Sequence, residues 1–278
     1  MEKKVWFITG VSSGFGQALV EVLVDAGYQV VGTLRKDEQV AAFNSKYGGK
    51  AHAVKMDVTN REQVVTGYAK ALEVYGHIDV VVNNAGYGFF GAIEEVSEQE
   101  ARDQMETNFF GALWVTQQAL PVMRAQKSGH IVQISSMAGM RGGPGVGIYN
   151  ASKHALEGFS EALALEVAPF NIKVTIVEPG PFRTKWAGES AARSEKVIDA
   201  YEDTPAGKRI AQIQGYSGQQ PGDPVKGAKA IIKAVESTEP PLRLPLGSVA
   251  VDAILDKLHS VEQEIKKWEK VSLDTHFD

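Results

Sequence analysis

The sequence predicts a doubly wound α/β domain, a parallel sheet with helices on both faces, on three observations. Short β-branched apolar runs alternate along the chain with longer segments of helical periodicity, the pattern of repeated strand–helix–strand units. A glycine-rich turn stands between the first such run and the first helix. The other clusters of small and polar residues follow predicted strand ends, where an open parallel sheet binds its ligands.

In chain order, Lys4–Thr9 (KVWFIT) reads as a buried strand, then Gly10-Val11-Ser12-Ser13-Gly14-Phe15-Gly16, then a helix over Gln17–Ala26. Three glycines at that junction make a phosphate cradle, because the backbone turns tightly and the helix N-terminus offers free N–H groups and positive dipole. The spacing is G-x-x-x-G-x-G, so the turn predicts a dinucleotide without matching the G-x-G-x-x-G fingerprint. The second strand, Gln29–Leu34, is followed by Arg35 and Lys36 rather than by an acid that would hold a ribose 2′-hydroxyl. A guanidinium suits a 2′-phosphate, so the expected cofactor is NADP(H). Asp37 is expected to cap the next helix instead of serving the ribose.

Ala51–Met56 is a strand ending in Asp57-Val58, Arg61–Tyr75 a helix, and Val80–Val82 a strand ending in Asn83-Asn84-Ala85-Gly86. Ser97-Glu98-Gln99-Glu100 is a capping box opening a helical region that runs, with a break near Gly111, to about Arg124. Ile131–Ile134 is a strand; the glycine-rich segment from Gly139 to Gly147 is a loop; a helix then runs to about Val167. Lys173–Glu178 is a strand ending in Pro179-Gly180, and residues 181–224 read as a lid over the substrate, rich in Gly, Pro, Ser and charge. Val225–Ser237 is a helix, Leu242–Leu246 an edge strand that tolerates Pro245. The chain ends in a helix over 248–271 whose apolar residues Ile254, Leu255, Leu258, Val261, Ile265 and Trp268 are expected to pack on their own domain. The whole of 1–278 reads as one domain.

Chemistry concentrates after the Ile131–Ile134 strand. Tyr149 and Lys153 stand four residues apart, so on a helix phenol and ammonium share a face, and Ser136 lies at the strand end. Lowering a tyrosine from pKa ~10 to ~7 needs roughly 4 kcal/mol. A lysine charge ~5 Å away at an effective dielectric of ~20 supplies about 3 kcal/mol. The trio is expected to move a proton on and off a carbonyl or alcohol oxygen, with a cofactor carrying the hydride. Composition narrows the field. A net charge of −5 leaves no electrostatic footprint for nucleic acid, and zero Cys excludes disulfides and thiolate nucleophiles. The six histidines have no ligand spacing, so no metal is expected. There is no signal-peptide core and no membrane-spanning apolar run, which makes a cytoplasmic protein the default. Gly158-Phe159-Ser160-Glu161-Ala162 has the spacing of a hydrolase elbow but falls inside a helix, not at a strand-to-helix turn.

Together, Thr9-Gly10-x-x-x-Gly14-x-Gly16, Asp57, Asn83-Asn84-Ala85-Gly86, Asn108, Ser136, Tyr149-x-x-x-Lys153 and Pro179-Gly180 with Thr184 resemble the short-chain dehydrogenase/reductase family, from Lys4 to about Thr184. The GYGFFG run and VEPGPFRT look closest to the 17β-hydroxysteroid and retinol dehydrogenase-like members. The resemblance implies a Rossmann fold with strand order 3-2-1-4-5-6-7 and a homodimer or homotetramer. It implies catalysis by Asn108, Ser136, Tyr149 and Lys153, with Tyr149 the proton donor or acceptor and Lys153 lowering its pKa. Asn108 would hold a water that links the lysine to solvent. The implied NADP(H) contacts are Gly10, Ser12, Ser13, Gly14, Phe15 and Gly16; Arg35, Asp57, Val58; Asn84, Ala85, Gly86; Tyr149 and Lys153; and Pro179, Gly180, Phe182, Thr184. Substrate is expected against Ser136, Met137, Met140, Tyr149 and Trp186, in a pocket whose further apolar candidates are Phe89, Ile93, Ile148 and Phe182. A bulky hydrophobic carbonyl or alcohol follows. The competing expectation is an NADP(H)-binding sensor or scaffold with little turnover.

Overall fold

The computed structural model describes residues 3–188 and 190–277. Its sheet has seven strands: β1 (Val5–Ile8), β2 (Gln29–Leu34), β3 (Ala51–Lys55), β4 (Val80–Asn83), β5 (Gly129–Ile134), β6 (Ile172–Pro179) and β7 (Arg243–Leu246). They pair in the order β3-β2-β1-β4-β5-β6-β7, every pair parallel. The expected order and the single α/β domain are thus observed. The switch in direction falls at β1, which pairs with β2 on one side and β4 on the other.

β1 is apolar throughout because it is covered on both faces. Trp6 and Ile8 pack with Leu19 and Leu23 of α1 (Gly14–Asp25) and with Ile231 of the helix over Pro224–Val235. Val5 and Phe7 point the other way, onto Val64 of α3 (Arg61–Tyr75) and onto Val115 and Met123 of α5 (Gly111–Gln126). All four strand residues are fully buried, at roughly 1.5–3 kcal/mol for each large apolar side chain removed from water. Between these helices lie α2 (Asp37–Tyr47) and α4 (Glu98–Met105). The expected capping box is present: the Ser97 backbone N–H donates to Glu100 Oε2 at 2.8 Å and the Glu100 N–H to Ser97 Oγ at 3.3 Å. The expected break is a π-helical turn over Glu106–Phe110, just before Gly111.

α6 (Gly147–Val167) lies against β6 and is followed, beyond the sheet, by the segment 181–224. That segment is not all loop: it contains α7 (Pro205–Gly215), and its Ala192–Arg193 pairs with Phe89–Phe90 in a short parallel ribbon apart from the main sheet. α8 (Pro224–Val235) precedes β7, and α9 (Ser248–Leu273) ends the chain. Only the first turns of α9 pack on the domain, through Ala250, Ala253 and Ile254. The expectation that its whole apolar face would do so is corrected, since Leu258, Ile265 and Trp268 are 51%, 63% and 59% exposed.

Candidate active site

A cleft of about 1620 Å³ lies across the C-terminal ends of the strands. At its floor Gly10 and Gly14 have φ of +69° and +58°, a region closed to most side chains. Gly16 is required for a different reason. A Cβ there would stand 2.4 Å from the Gly10 carbonyl oxygen and 2.6 Å from Asn84 Nδ2. Asn84 is the clasp of this turn, its amide donating to the carbonyls of Thr9 and Gly10 at 2.9 Å each. The Thr9 hydroxyl accepts from the backbone N–H groups of Asn84 and Ala85. The first turn of α1 carries no acid, and no side chain caps its N–H groups. Those donors face the cleft beside Gly10, Ser12, Ser13, Gly14 and Phe15, a fit to an anionic pyrophosphate.

Farther along the cleft, Arg35 and Lys36 follow β2 and Asp57 and Val58 follow β3. Among the described residues Arg35 has no ion pair, while Lys36 is 4.0 Å from Glu38. Asp37 does not cap α2; Lys36 occupies that position, and Asp37 pairs with Lys55 at 2.6 Å. Asp37 lies outside the lining of the cleft. Asp57 accepts from the Thr59 N–H and hydroxyl at 3.0 and 2.8 Å, fixing the turn after β3.

Ser136, Tyr149 and Lys153 converge on the opposite wall with Ala85 and Gly86. Ser136 lies two residues past the end of β5, and its oxygen accepts from the Ala138 N–H at 3.1 Å. Lys153 Nζ donates to the Ile134 carbonyl at 2.8 Å and lies 5.9 Å from the centre of the Tyr149 ring. Burial pushes the Tyr149 phenol up to about 12, against hydrogen bonds from Ser136 and Trp186 that pull it down. Burial also lowers Lys153 to about 8, opposed by the nearby Glu157 carboxylate. Desolvation outweighs these hydrogen bonds in the cleft, so the phenol stands above its ordinary value there. Asn108 sits in the π-helical turn, buried, accepting from the Tyr87 N–H and donating to the Tyr87 carbonyl, both at 3.0 Å. It also donates to Ser152 Oγ at 3.1 Å, so its amide does not line the cleft but braces the wall from behind.

The closing surface comes from 181–224. Trp186 packs tilted on the Tyr149 ring, centroids 5.1 Å apart, and edge-on at 5.5 Å to Phe90. Ile210 and Ile213 of α7 join the same apolar cluster with Val146. Thr184 sits against Gly14, and Phe182 packs on Phe15 at 4.8 Å. Pro179 and Gly180 complete the rim, with the Gly180 N–H bound to the Leu246 carbonyl. Of the apolar pocket candidates, Met137, Phe182 and Trp186 line the cleft. Met140 does not: its sulfur turns to Arg243, 3.2 Å from Nη1. Phe89 is buried behind the wall, Ile93 is 65% exposed, and Ile148 lies outside the lining. Sequence reasoning missed Thr107, Arg141, and Lys208, Arg209 and Gln212 of α7, all of which line the cleft. Thr204 capping α7 with Pro205 at its first position is a helix-start signature that marks the element.

The short chain dehydrogenase family profile matches residues 4–195. The chain is 40% identical to an oxidoreductase, BOA17, of Botryotinia fuckeliana over 97% of its own length and 98% of the relative's. It is 38% identical to a 3-ketodihydrosphingosine reductase of Bacteroides thetaiotaomicron, covering 89% of each. With human retinol dehydrogenase 8 it shares 36% identity, covering 85% and 79%. A short-chain dehydrogenase structure from Streptomyces avermitilis superposes with TM-score 0.91 at 45% identity over the whole of both chains. The structure of ElxO with NADP bound gives TM-score 0.75 at 27% identity, covering 90% and 99%.

Proposed function

The chain belongs to the short-chain dehydrogenases, and on that premise we propose that it is an NADP(H)-dependent oxidoreductase interconverting a bulky hydrophobic carbonyl and its alcohol. One observation carries this. A buried phenol, a serine hydroxyl and a buried lysine stand on one wall of the cleft whose floor is a glycine turn at a helix N-terminus. Gly10, Ser12, Ser13 and Gly14 would hold the pyrophosphate and Arg35 the 2′-phosphate, with Asp57 and Val58 beside the adenine end. The bound nicotinamide supplies the hydride chemistry that no side chain offers. Tyr149 donates the proton to the carbonyl oxygen in reduction and accepts it in oxidation, and Ser136 hydrogen-bonds that oxygen as charge develops there. Lys153 holds a positive charge beside the phenol, and Asn108 keeps the wall carrying both in place.

Residues 181–224 act as the lid. Trp186 covers Tyr149 in this closed arrangement, so substrate enters when the indole moves, and closure excludes water from proton transfer. The apolar contacts of Val146, Trp186, Ile210 and Ile213 around Tyr149 support a hydrophobic substrate. The names of two relatives point the same way, one a retinol dehydrogenase and the other a reductase of a sphingoid ketone. The exposed apolar face of α9 supports a homo-oligomer, which sedimentation of the purified protein reads directly.

The test is NADPH oxidation by the purified protein against steroid ketones, retinal, long-chain keto lipids, small aldehydes, diketones and quinones. Tyr149→Phe serves as the blank. A Tyr149-dependent signal is expected, with NADPH affinity in the variant kept within a few-fold. Turnover that survives Tyr149→Phe would sink the mechanism, and tight NADPH binding with no turnover on any carbonyl would favour a sensor.

A further inference from the structure

Behind the reaction centre lies a group of buried charges that proton transfer by Tyr149 does not use. α6 carries Tyr149, Lys153, Glu157 and Glu161 at four-residue spacing, so one face of the helix runs from phenol to ammonium to two carboxylates. Glu157 is 4% exposed, and Glu178, on β6, is fully buried. Arg243 reaches them from β7. Its Nη1 donates to Glu157 Oε2 at 2.6 Å and to Glu178 Oε1 at 2.5 Å, and its Nη2 donates to Glu161 Oε1 at 2.5 Å. Three carboxylates therefore share one guanidinium. Glu157 Oε1 and Glu178 Oε2 are buried and stand outside the bonds to Arg243; the Ser135 hydroxyl is the polar group that serves Glu157 there.

An ion cluster that served only to tie β7 to α6 would balance its charge at Arg243. This one gathers three carboxylates on a single guanidinium, two of them buried, and Lys153 stands one helical turn from Glu157 on the same face. The Lys153 ammonium has a carbonyl, not an anion, as its hydrogen-bond acceptor, so in a dry site it needs a counter-charge to stay protonated. The charged groups facing Glu157 are Lys153 and Glu161 on its own helix, Glu178 on β6 and Arg243 on β7. Burial first and Glu157 next push the Glu178 carboxyl up to about 7. Arg243 fixes where the remaining charge sits.

We propose that Glu157, held in place by Arg243 and Glu178, is a positioning residue for catalysis: its carboxylate is the counter-charge that keeps Lys153 an ammonium while the cleft is closed. This rests on Tyr149 and Lys153 being the proton-transfer pair. Removing a negative charge lowers the pKa of every neighbouring group. Glu157→Gln should therefore move the alkaline limb of the pH–rate profile for NADPH-dependent reduction down by about one pH unit, the effect of a unit charge one helical turn away at an effective dielectric of a few tens. Glu161→Gln, which also loses a bond to Arg243 but is half exposed, should leave the limb in place.

A second readout needs no turnover. The difference in unfolding free energy between the wild type and Lys153→Met, followed against pH, reports the folded-state pKa of Lys153 by linkage. The same difference taken in the Glu157→Gln background should inflect about one unit lower. Both values staying within about 0.3 units of wild type would overturn the proposal and leave the cluster a structural tie. If Glu157→Gln does not fold, Glu178→Gln should shift both readouts the same way by a smaller amount, and no shift in that folded variant would equally overturn it. The linkage curves decide the role of Glu157 even if Tyr149→Phe retains turnover, so failure here and failure of the catalytic assignment are distinguishable.

Discussion

Replacing Arg35 with Ala tests how the cleft chooses its cofactor. Arg35 lines the cleft beyond β2, is exposed, and makes no ion pair among the described residues, so its guanidinium is free to meet a phosphate. Its neighbour Lys36 is already within 4.0 Å of Glu38, and Asp37 is bound to Lys55. A charge-assisted hydrogen bond is worth roughly 1.5–3 kcal/mol, and solvent screening at an exposed site favours the low end. The expected loss is about 1–2 kcal/mol, so the NADPH dissociation constant should rise roughly 5- to 30-fold. NADH, lacking the 2′-phosphate, should change less than about twofold. Fluorescence titration of both cofactors with wild type and variant gives the four constants. The penalty should shrink when salt is raised from about 0.1 to 0.5 M, because the Debye length falls below the contact range. Equal losses for NADPH and NADH would show that Arg35 does not read the phosphate. A loss for NADPH that ignores salt would assign it to packing.

Three further outcomes follow from the geometry. Gly16→Ala forces a methyl onto the Gly10 carbonyl and the Asn84 amide; we expect destabilisation of about 1–3 kcal/mol and at least tenfold weaker NADPH binding, and unchanged affinity would refute the cradle. Trp186→Ala removes two aromatic contacts, to Tyr149 and Phe90, worth roughly 0.5–1.5 kcal/mol each; urea unfolding should register about 1–3 kcal/mol, with KM for bulky carbonyls changed far more than NADPH affinity. His130, buried against Thr175 at 2.9 Å, is lowered to about 4 by burial first and by Lys4 and Lys173 next. Its neutral form is the one the fold accommodates, so wild-type stability should be lost as pH falls from about 6.5 to about 4, by as much as ~3 kcal/mol. His130→Gln should flatten that part of the curve, and an unchanged slope would refute the assignment.

Most of the fold was legible because a parallel sheet writes itself plainly: strands covered on both faces, such as Val5–Ile8 and the valines of Val80–Asn83, are unbroken apolar runs. Side-chain direction in loops was less legible. Met140 follows a strand end as Met137 does, yet one sulfur turns to Arg243 while the other residue lines the cleft, and no periodicity distinguishes them. α7 was hidden by the Gly, Pro and Ser content around it, although Thr204-Pro205 marked its start. Asp37 reads as a cap from its own neighbourhood, but Lys55 on the next strand draws it off. Glu157 was visible, four residues beyond Lys153, yet its importance depends on Glu178 and Arg243, which only the sheet order brings beside it.

The burial of Tyr149 was the least legible property, since the indole that covers it lies far along the chain, and it bears on the direction of the reaction. One dry environment pushes the phenol up to about 12 and the ammonium down to about 8. At neutral pH the phenol is then a proton donor, and Lys153 stays mainly charged. A protonated acid beside a serine hydroxyl suits a carbonyl oxygen that is gaining negative charge. An alcohol about to lose a proton would instead require phenolate, which this environment disfavours. Both shifts favour the protonated phenol as the acid of carbonyl reduction. Reduction should decline as pH rises through about 8, where Lys153 loses its proton, while oxidation of the alcohol should gain with rising pH as phenolate becomes accessible. Initial rates in both directions between about pH 6 and 10 decide this. A reduction rate that is flat across pH 8 would mean that Lys153 does not act as a charge beside Tyr149 at all.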